Sequence, residues 1–237
     1  MMTKTEIKPD PPIVSHLQIF TGTIVHYAQY DASAIRKKPL LEPQKLTALG
    51  IEGDEQFEKA FHGGVDRALC HYPLEHYDYW QTVFPGSPYF QKQPAFGENL
   101  STIGLTEENV FIGDIFQLGE AIIQVTKPRS PCYKVNEHSQ TEDLSLQMQN
   151  SGRCGWLYRV IQTGMVTPDA SMTLLARPGS ISVKSAIDIT FNQPFDRDKI
   201  LFLLSSPGLS TSLTRTLMKR LQTEKIESFT GRLFKKA

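Results

Sequence analysis

The chain has 237 residues, 40% hydrophobic and 21% charged, with 25 Lys and Arg balanced by 25 Asp and Glu. That composition is ordinary for a globular protein, and the length exceeds one typical domain of ~100–200 residues, so a full domain with a smaller appendage is expected. Zero net charge names no polyanionic partner, and no apolar run approaches the ~18 residues of a membrane span.

The opening segment "MMTKTEIKPDPP" is polar and proline-rich, unlike the apolar core of a secretory signal. The reading is a cytoplasmic protein with no membrane partner. "LQIFTGTIVHY" is β-branched and aromatic, and "RALCHY" is a short apolar strand after Gly63-Gly64. "PLEHYDYWQTVF" reads as a helix, with Pro73 in its first turn and Tyr77, Trp80 and Phe84 at helical spacing. "NVFIGDIFQLG" alternates, and a Leu-Gly-Glu turn joins it to "EAIIQVTK" as a hairpin. "EDLSLQMQNSG" is a second helix ended by Gly152, and "GWLYRVIQTGMV" and "SMTLLARP" add strands. Short strands with glycine punctuation suggest a barrel or closed sheet. After Pro178-Gly179, "SVKSAIDITF", "DRDKILFLLSS" and "STSLTRTLMKRLQ" read as three helices, with Leu213, Leu217 and Leu221 in one stripe. The expected division is 1–180 and 181–237. The second part holds ten Lys or Arg and five Asp or Glu, so it carries +5. Arg215, Lys219 and Arg220 lie on its last helix; a solvated face explains them more simply than nucleic acid, since +5 is modest for a DNA-binding module.

Three segments offer chemistry. In "GDEQFEKAFHGGVDRAL", His62 precedes Gly63 and Gly64, which permit close backbone approach to a ligand, with Asp54, Asp66 and Arg67 nearby. Taken alone, those letters read more simply as a tight turn with a surface histidine. In "PAFGENLSTIGL", Glu98 and Asn99 follow a glycine, and an asparagine amide both donates and accepts. In "TKPRSPCYKV", Pro128 and Pro131 stiffen the approach to Cys132. Arg129 and Lys134 flank that thiol; cations favour a thiolate, which serves as nucleophile or metal ligand, and they also suit a phosphate. Cys70, inside an apolar strand, reads as packing. No two cysteines have C-x-x-C spacing, so a reducing compartment fits.

"HGGVDRALCHYPLEHYDYW", "AFGENLSTIGLTEENVFIGDIFQLGEAIIQVTKPRSPCYK" and "GWLYRVI" together resemble the MOSC domain, named for the C-terminal domain of molybdenum cofactor sulfurase. The resemblance implies a mainly β, barrel-like domain with helices over 1–180, followed by a small three-helix domain over 181–237. It implies binding of the molybdenum cofactor, a pterin with a dithiolene and a phosphate. The family's molybdenum-ligating cysteine falls on Cys132, its His-Gly-Gly on His62, Gly63 and Gly64, and its asparagine on Asn99. Arg67, Arg129, Ser130 and Lys134 are further cofactor contacts by proximity, and His62 or Asp54 is the proton donor. The implied activity is reduction of N-hydroxylated bases and related compounds to the amine and water. The alternative is a cofactor carrier or a sulfur carrier without turnover. No G-x-G-x-x-G follows a strand, so a separate electron-donor reductase is expected. The basic tail is expected either to meet such a donor or to pack on the barrel or a second subunit.

Overall fold

The computed structural model describes residue 14 and residues 16–59 and 63–235. Among these, eleven strands and seven α-helices follow in chain order: β1 (His16–Thr21), β2 (Lys38–Pro39), β3 (Gln44–Thr47), β4 (Gly50–Ile51), β5 (Leu69–His71), α1 (Glu75–Val83), β6 (Leu100–Ile103), β7 (Ile115–Leu118), β8 (Ala121–Pro128), α2 (Tyr133–Ser139), α3 (Leu144–Ser151), β9 (Trp156–Gln162), β10 (Gly164–Val166), β11 (Met172–Ala176), α4 (Val183–Ile187), α5 (Arg197–Leu204), α6 (Thr211–Thr223) and α7 (Thr230–Leu233). Eight strands form one sheet in the order β11-β7-β8-β9-β5-β6-β1-β2, and β10-β3-β4 form a second. Among the described strands of this sheet, β5–β6 is the one parallel pair. One residue, Thr163, separates β9 from β10, so the chain passes directly between the sheets and the β structure curls into a half-barrel.

The β7–β8 hairpin closes as its letters indicate, with Leu118 opposite Ala121 and Gly119 at φ +56 in the turn. The alternation places Phe116, Leu118, Ala121, Ile123 and Val125 in the core. The strand expected from Asn109 shortens to Ile115, because Gly113 turns at φ +92 and the Asp114 carboxylate accepts from Phe111 N and from Arg177. A second, aromatic core lies under α1, where Tyr72, Tyr77, Trp80, Phe90 and Phe96 pack with Val135, Leu144 and Met148.

The C-terminal helices start where side chains cap them: Ser182 accepts from Ser185 N, Asp196 from Asp198 N and Lys199 N, and Ser210 from Leu213 N. Their apolar faces do not form a separate core. Val183, Ile187, Leu203, Leu213 and Leu217 belong to the same buried cluster as Phe116, Ile123 and Val125. The tail therefore packs on the sheet, as a unit too small for its own core must do on some surface. Two helices have no clear signal in the letters: α2 begins one residue after Cys132, and α7 has only four residues. No helix among the described residues is long and apolar enough to cross a membrane.

Candidate functional site

Strand register builds the floor of a cavity of about 560 Å³. Leu157 on β9 pairs with Cys70 on β5 and with Lys127 on β8, so these three side chains stand in a row across the sheet. The β8–β9 register shifts between Val125 and Lys127; such a bulge re-aims the residues that follow it. Asn99 prolongs the row, since its Oδ1 accepts from Cys70 N at 3.1 Å and its backbone N donates to Cys70 O at 2.8 Å. Beyond Lys127, β8 delivers Arg129, whose backbone N donates to Gly155 O at 3.0 Å. Gly155 must be glycine: its φ is +72, and a Cβ would lie 2.1 Å from His71 O.

Cys132 caps α2 in extended backbone, φ −133 and ψ 165, and lines the cavity half-buried. The cap is fixed from the far end of the chain. Arg232 donates through Nη1 to Pro131 O and through Nη2 to Gln149 Oε1, while its guanidinium stacks on Phe191 and Phe229. Leu233 O accepts from Asn136 Nδ2 and Ser145 Oγ, each at 2.9 Å. Helix α7 thus clamps α2 and α3 and places Gly231 and Arg232 on the cavity wall.

Six cations line this space: Lys37, Arg67, Lys127, Arg129, Lys134 and Arg232. Among the described residues two are ion-paired: Lys37 with Asp54, and Lys134 with Glu58 at 3.2 Å. Lys127 is 8% exposed, and burial, then Arg67 and Arg232, push its pKa down to about 7. Burial also opposes the charge on Arg129, but Cys70, Cys132, Glu98 and Tyr72 outweigh it and raise its pKa. The Nη1 of Arg129 is buried with no hydrogen-bond partner. Nearly all buried donors are paired, so this one points to an acceptor supplied by a ligand.

Of the residues singled out from the sequence, Arg67, Asn99, Arg129, Ser130, Cys132 and Lys134 meet around the cavity. Asn99 commits both amide protons, to Phe20 O at 3.2 Å and Asp54 Oδ2 at 2.8 Å. The Asp54 carboxylate is fully buried, accepts also from Gly22 N and Lys37, and does not line the cavity. Gly63 and Gly64 do not line it either; Gly64, at φ +104, leads into the helical turn Val65–Arg67. His62 lies outside the described residues. Glu98 turns away: it is fully buried, accepts from Tyr77 and from Phe96 N at 2.9 Å, and burial raises its pKa. Cys70, read as packing, is on the floor with a thiol whose pKa burial raises. Lys127 has a signal in the letters, since it lies in strand β8 two residues before Arg129. Arg232 is 101 residues from its partner Pro131, and no local pattern could join them.

The MOSC domain model matches residues 58–173, and the model described as YiiM-like, 3-alpha helix domain matches residues 181–224. The chain belongs to the MOSC family, in the group that carries the YiiM-like helical domain. It is similar to Protein YiiM of Escherichia coli (strain K12), with 52% identity over 220 residues, covering 93% of this chain and 98% of that protein. The crystal structure of YiiM from Escherichia coli superposes with a TM-score of 0.82 at 46% identity, over 94% of this chain and 100% of that one. A protein named Reductase from Gibberella moniliformis (strain M3125 / FGSC 7600) is 37% identical over 173 residues, 72% of this chain but 30% of that protein.

Proposed function

We propose that this chain is a molybdenum-cofactor-dependent reductase that converts N-hydroxylated bases and related compounds to the amine and water. The observation that carries the reading is the cation-lined cavity, with Cys132 on its wall and the buried, partnerless Nη1 of Arg129 inside it. A cofactor with a phosphate and its own sulfur ligands suits this set. Its phosphate would take hydrogen bonds from Arg129 and charge from Arg67 and Lys127. Among the described residues, no three His, Cys, Asp or Glu side chains are grouped to hold a bare metal ion. A metal that arrives with the cofactor's own ligands would gain one thiolate from Cys132.

When bound, the molybdenum cofactor supplies two-electron redox chemistry. The remaining work belongs to the chain. Arg129, Arg67 and Lys127 would hold the anionic part. Arg232 and Pro131 fix the backbone of Cys132, because a metal ligand must be held in set geometry. Reduction of an N–OH group takes two electrons and two protons, breaks the N–O bond and releases the oxygen as water. His62, from the family motif, is the candidate proton donor, and Asp54, the other candidate, holds Lys37 at the cavity edge. Electrons come from a separate reductase. The relative named Reductase supports a redox role, though this chain spans less than a third of it.

The test is expression in a cofactor-competent host, with molybdenum and pterin measured per chain and turnover of an N-hydroxylated base measured with a small artificial reductant. Near-stoichiometric metal with turnover is expected. Metal without turnover would make the chain a carrier, and protein free of both would overturn the reading.

A further inference from the structure

A second groove lies on the other side of the segment 27–37, and no residue lines both it and the first cavity. The loop supplies Tyr27, Tyr30 and Arg36, the turn after α1 supplies Phe84 and Tyr89, and the end of α2 supplies His138. The His138 imidazole forms a three-ring cluster with two tyrosines, 4.8 Å from the Tyr27 ring at 78° and 5.7 Å from the Tyr30 ring at 50°, with the tyrosine rings 6.4 Å apart. It is 4% exposed, yet its Nδ1 is buried without a hydrogen-bond partner, and the Tyr27 hydroxyl is buried in the same condition. Packing alone does not account for two orphaned polar groups in one aromatic cluster, since such groups are normally satisfied. Burial, with Arg36 and Lys134 nearby, pushes the His138 pKa down to about 4, so the ring is neutral and offers hydrogen bonds rather than charge.

The charge in this groove comes from elsewhere. Arg36 is exposed, with its guanidinium 5.5 Å above the Tyr27 ring, and no Asp or Glu lines the groove. The set is therefore a cluster of rings in tilted and edge-on contact, a neutral hydrogen-bonding edge and one cation without an acidic partner among the described residues. Rings favour a planar occupant, because offset and edge-to-face contacts reward a further ring. The cation favours an anionic group on that occupant.

We propose that the groove between Tyr27, Tyr30, Arg36 and His138 is a second ligand site, for a small planar aromatic molecule that carries a carboxylate or comparable anionic group. The carboxylate meets Arg36, and the ring packs against Tyr30 and His138. The site is independent of the cofactor cavity and of the reductase reading.

The experiment is calorimetric titration of the full chain with naphthalene-2-carboxylate, with cyclohexanecarboxylate (no aromatic ring) and 2-naphthol (no carboxylate) as comparisons. Saturable one-to-one binding of the aryl acid is expected, with both comparisons weaker. Arg36→Gln should weaken the aryl acid about tenfold, as loss of one charge-assisted hydrogen bond would. This variant keeps the fold, because Arg36 is exposed and its side chain donates no hydrogen bond among the described residues. Tyr30→Leu should weaken binding too, while Lys127→Met in the first cavity should leave it unchanged. Absence of saturable binding, full affinity in Arg36→Gln, or loss in Lys127→Met instead would each overturn the proposal.

Discussion

The Cys132 thiol projects from backbone held on both sides, by its extended cap conformation before α2 and by the hydrogen bond from Arg232 to the carbonyl preceding it. Substituting the sulfur alone leaves those supports in place. Cys132→Ser should therefore abolish reduction of N-hydroxylated bases with a change in unfolding free energy within about 1 kcal/mol, the scale for a half-buried substitution that leaves the backbone supports in place. Cys70→Ser should retain turnover, because the buried setting of Cys70 favours its neutral thiol; thermal unfolding and steady-state rates measured together check both variants. Lys127 makes a pH prediction. Its folded pKa of about 7 lies below the ordinary lysine value of 10.5, so between these the unfolded chain binds the extra proton. Stability from this group is lowest below pH 7 and rises as pH increases from 7 towards 10.5. Urea midpoints at pH 6, 7.5 and 9 should climb more steeply for the wild type than for Lys127→Met; parallel curves would mean that Lys127 stays charged. At this scale much of the site was readable: the thiol and cations of Thr126 to Lys134 are local in the chain, and proline stiffness and strand alternation are local rules. The commitment of Asn99 and Asp54 to each other was not readable, because 45 residues separate them and only the folded sheet joins them.

Helix α7 shows what a short element can do. It has four residues, too few to be stable alone, yet it joins the tail to the two helices behind Cys132. Arg232→Ala removes two charge-assisted hydrogen bonds and leaves Pro131 O and Gln149 Oε1 to find other donors. It should lower stability by roughly 2–4 kcal/mol and release molybdenum during gel filtration, while Arg232→Lys should recover part of the stability. Unchanged stability and metal content in Arg232→Ala would mean that the clamp is dispensable. The longer elements were legible: α1, α3, α5 and α6 fall where apolar spacing and glycine stops put them, as does the β7–β8 hairpin. Helix α2 was hidden because its letters read as a rigid loop around two prolines, and Pro131 in fact precedes the helix by two residues. The burial of Val135, Asn136 and His138 against the aromatic core and the tail stabilises it, a tertiary effect.

On the scale of the whole molecule, the tail is both part of the core and a charged surface. Arg215 and Lys219 are exposed on α6, but Arg220 is 1% exposed and pairs with Glu227 at 2.8 and 2.9 Å. The sequence shows three basic residues on one helix, and only the packing separates the buried one from the other two. If an acidic reductase docks on this face, the Arg215→Glu, Lys219→Glu double variant should slow reduction by that donor at low salt. The difference should shrink near physiological ionic strength, where the Debye length is ~8 Å. Turnover with a small artificial reductant should not change, and equal loss with both donors would show that the face supports the site instead. Arg220→Glu does not belong in that comparison, because it would bury an acid beside Glu227 and unfold the tail. The central claim remains that one protein sulfur, that of Cys132, completes the coordination of a metal brought in by its cofactor. X-ray absorption at the molybdenum edge of the loaded full-length chain tests it most directly. Three sulfur ligands are predicted for the wild type and two for whatever metal Cys132→Ser retains; three sulfurs in Cys132→Ser, or a wild-type chain that binds no molybdenum in a cofactor-competent host, would contradict it.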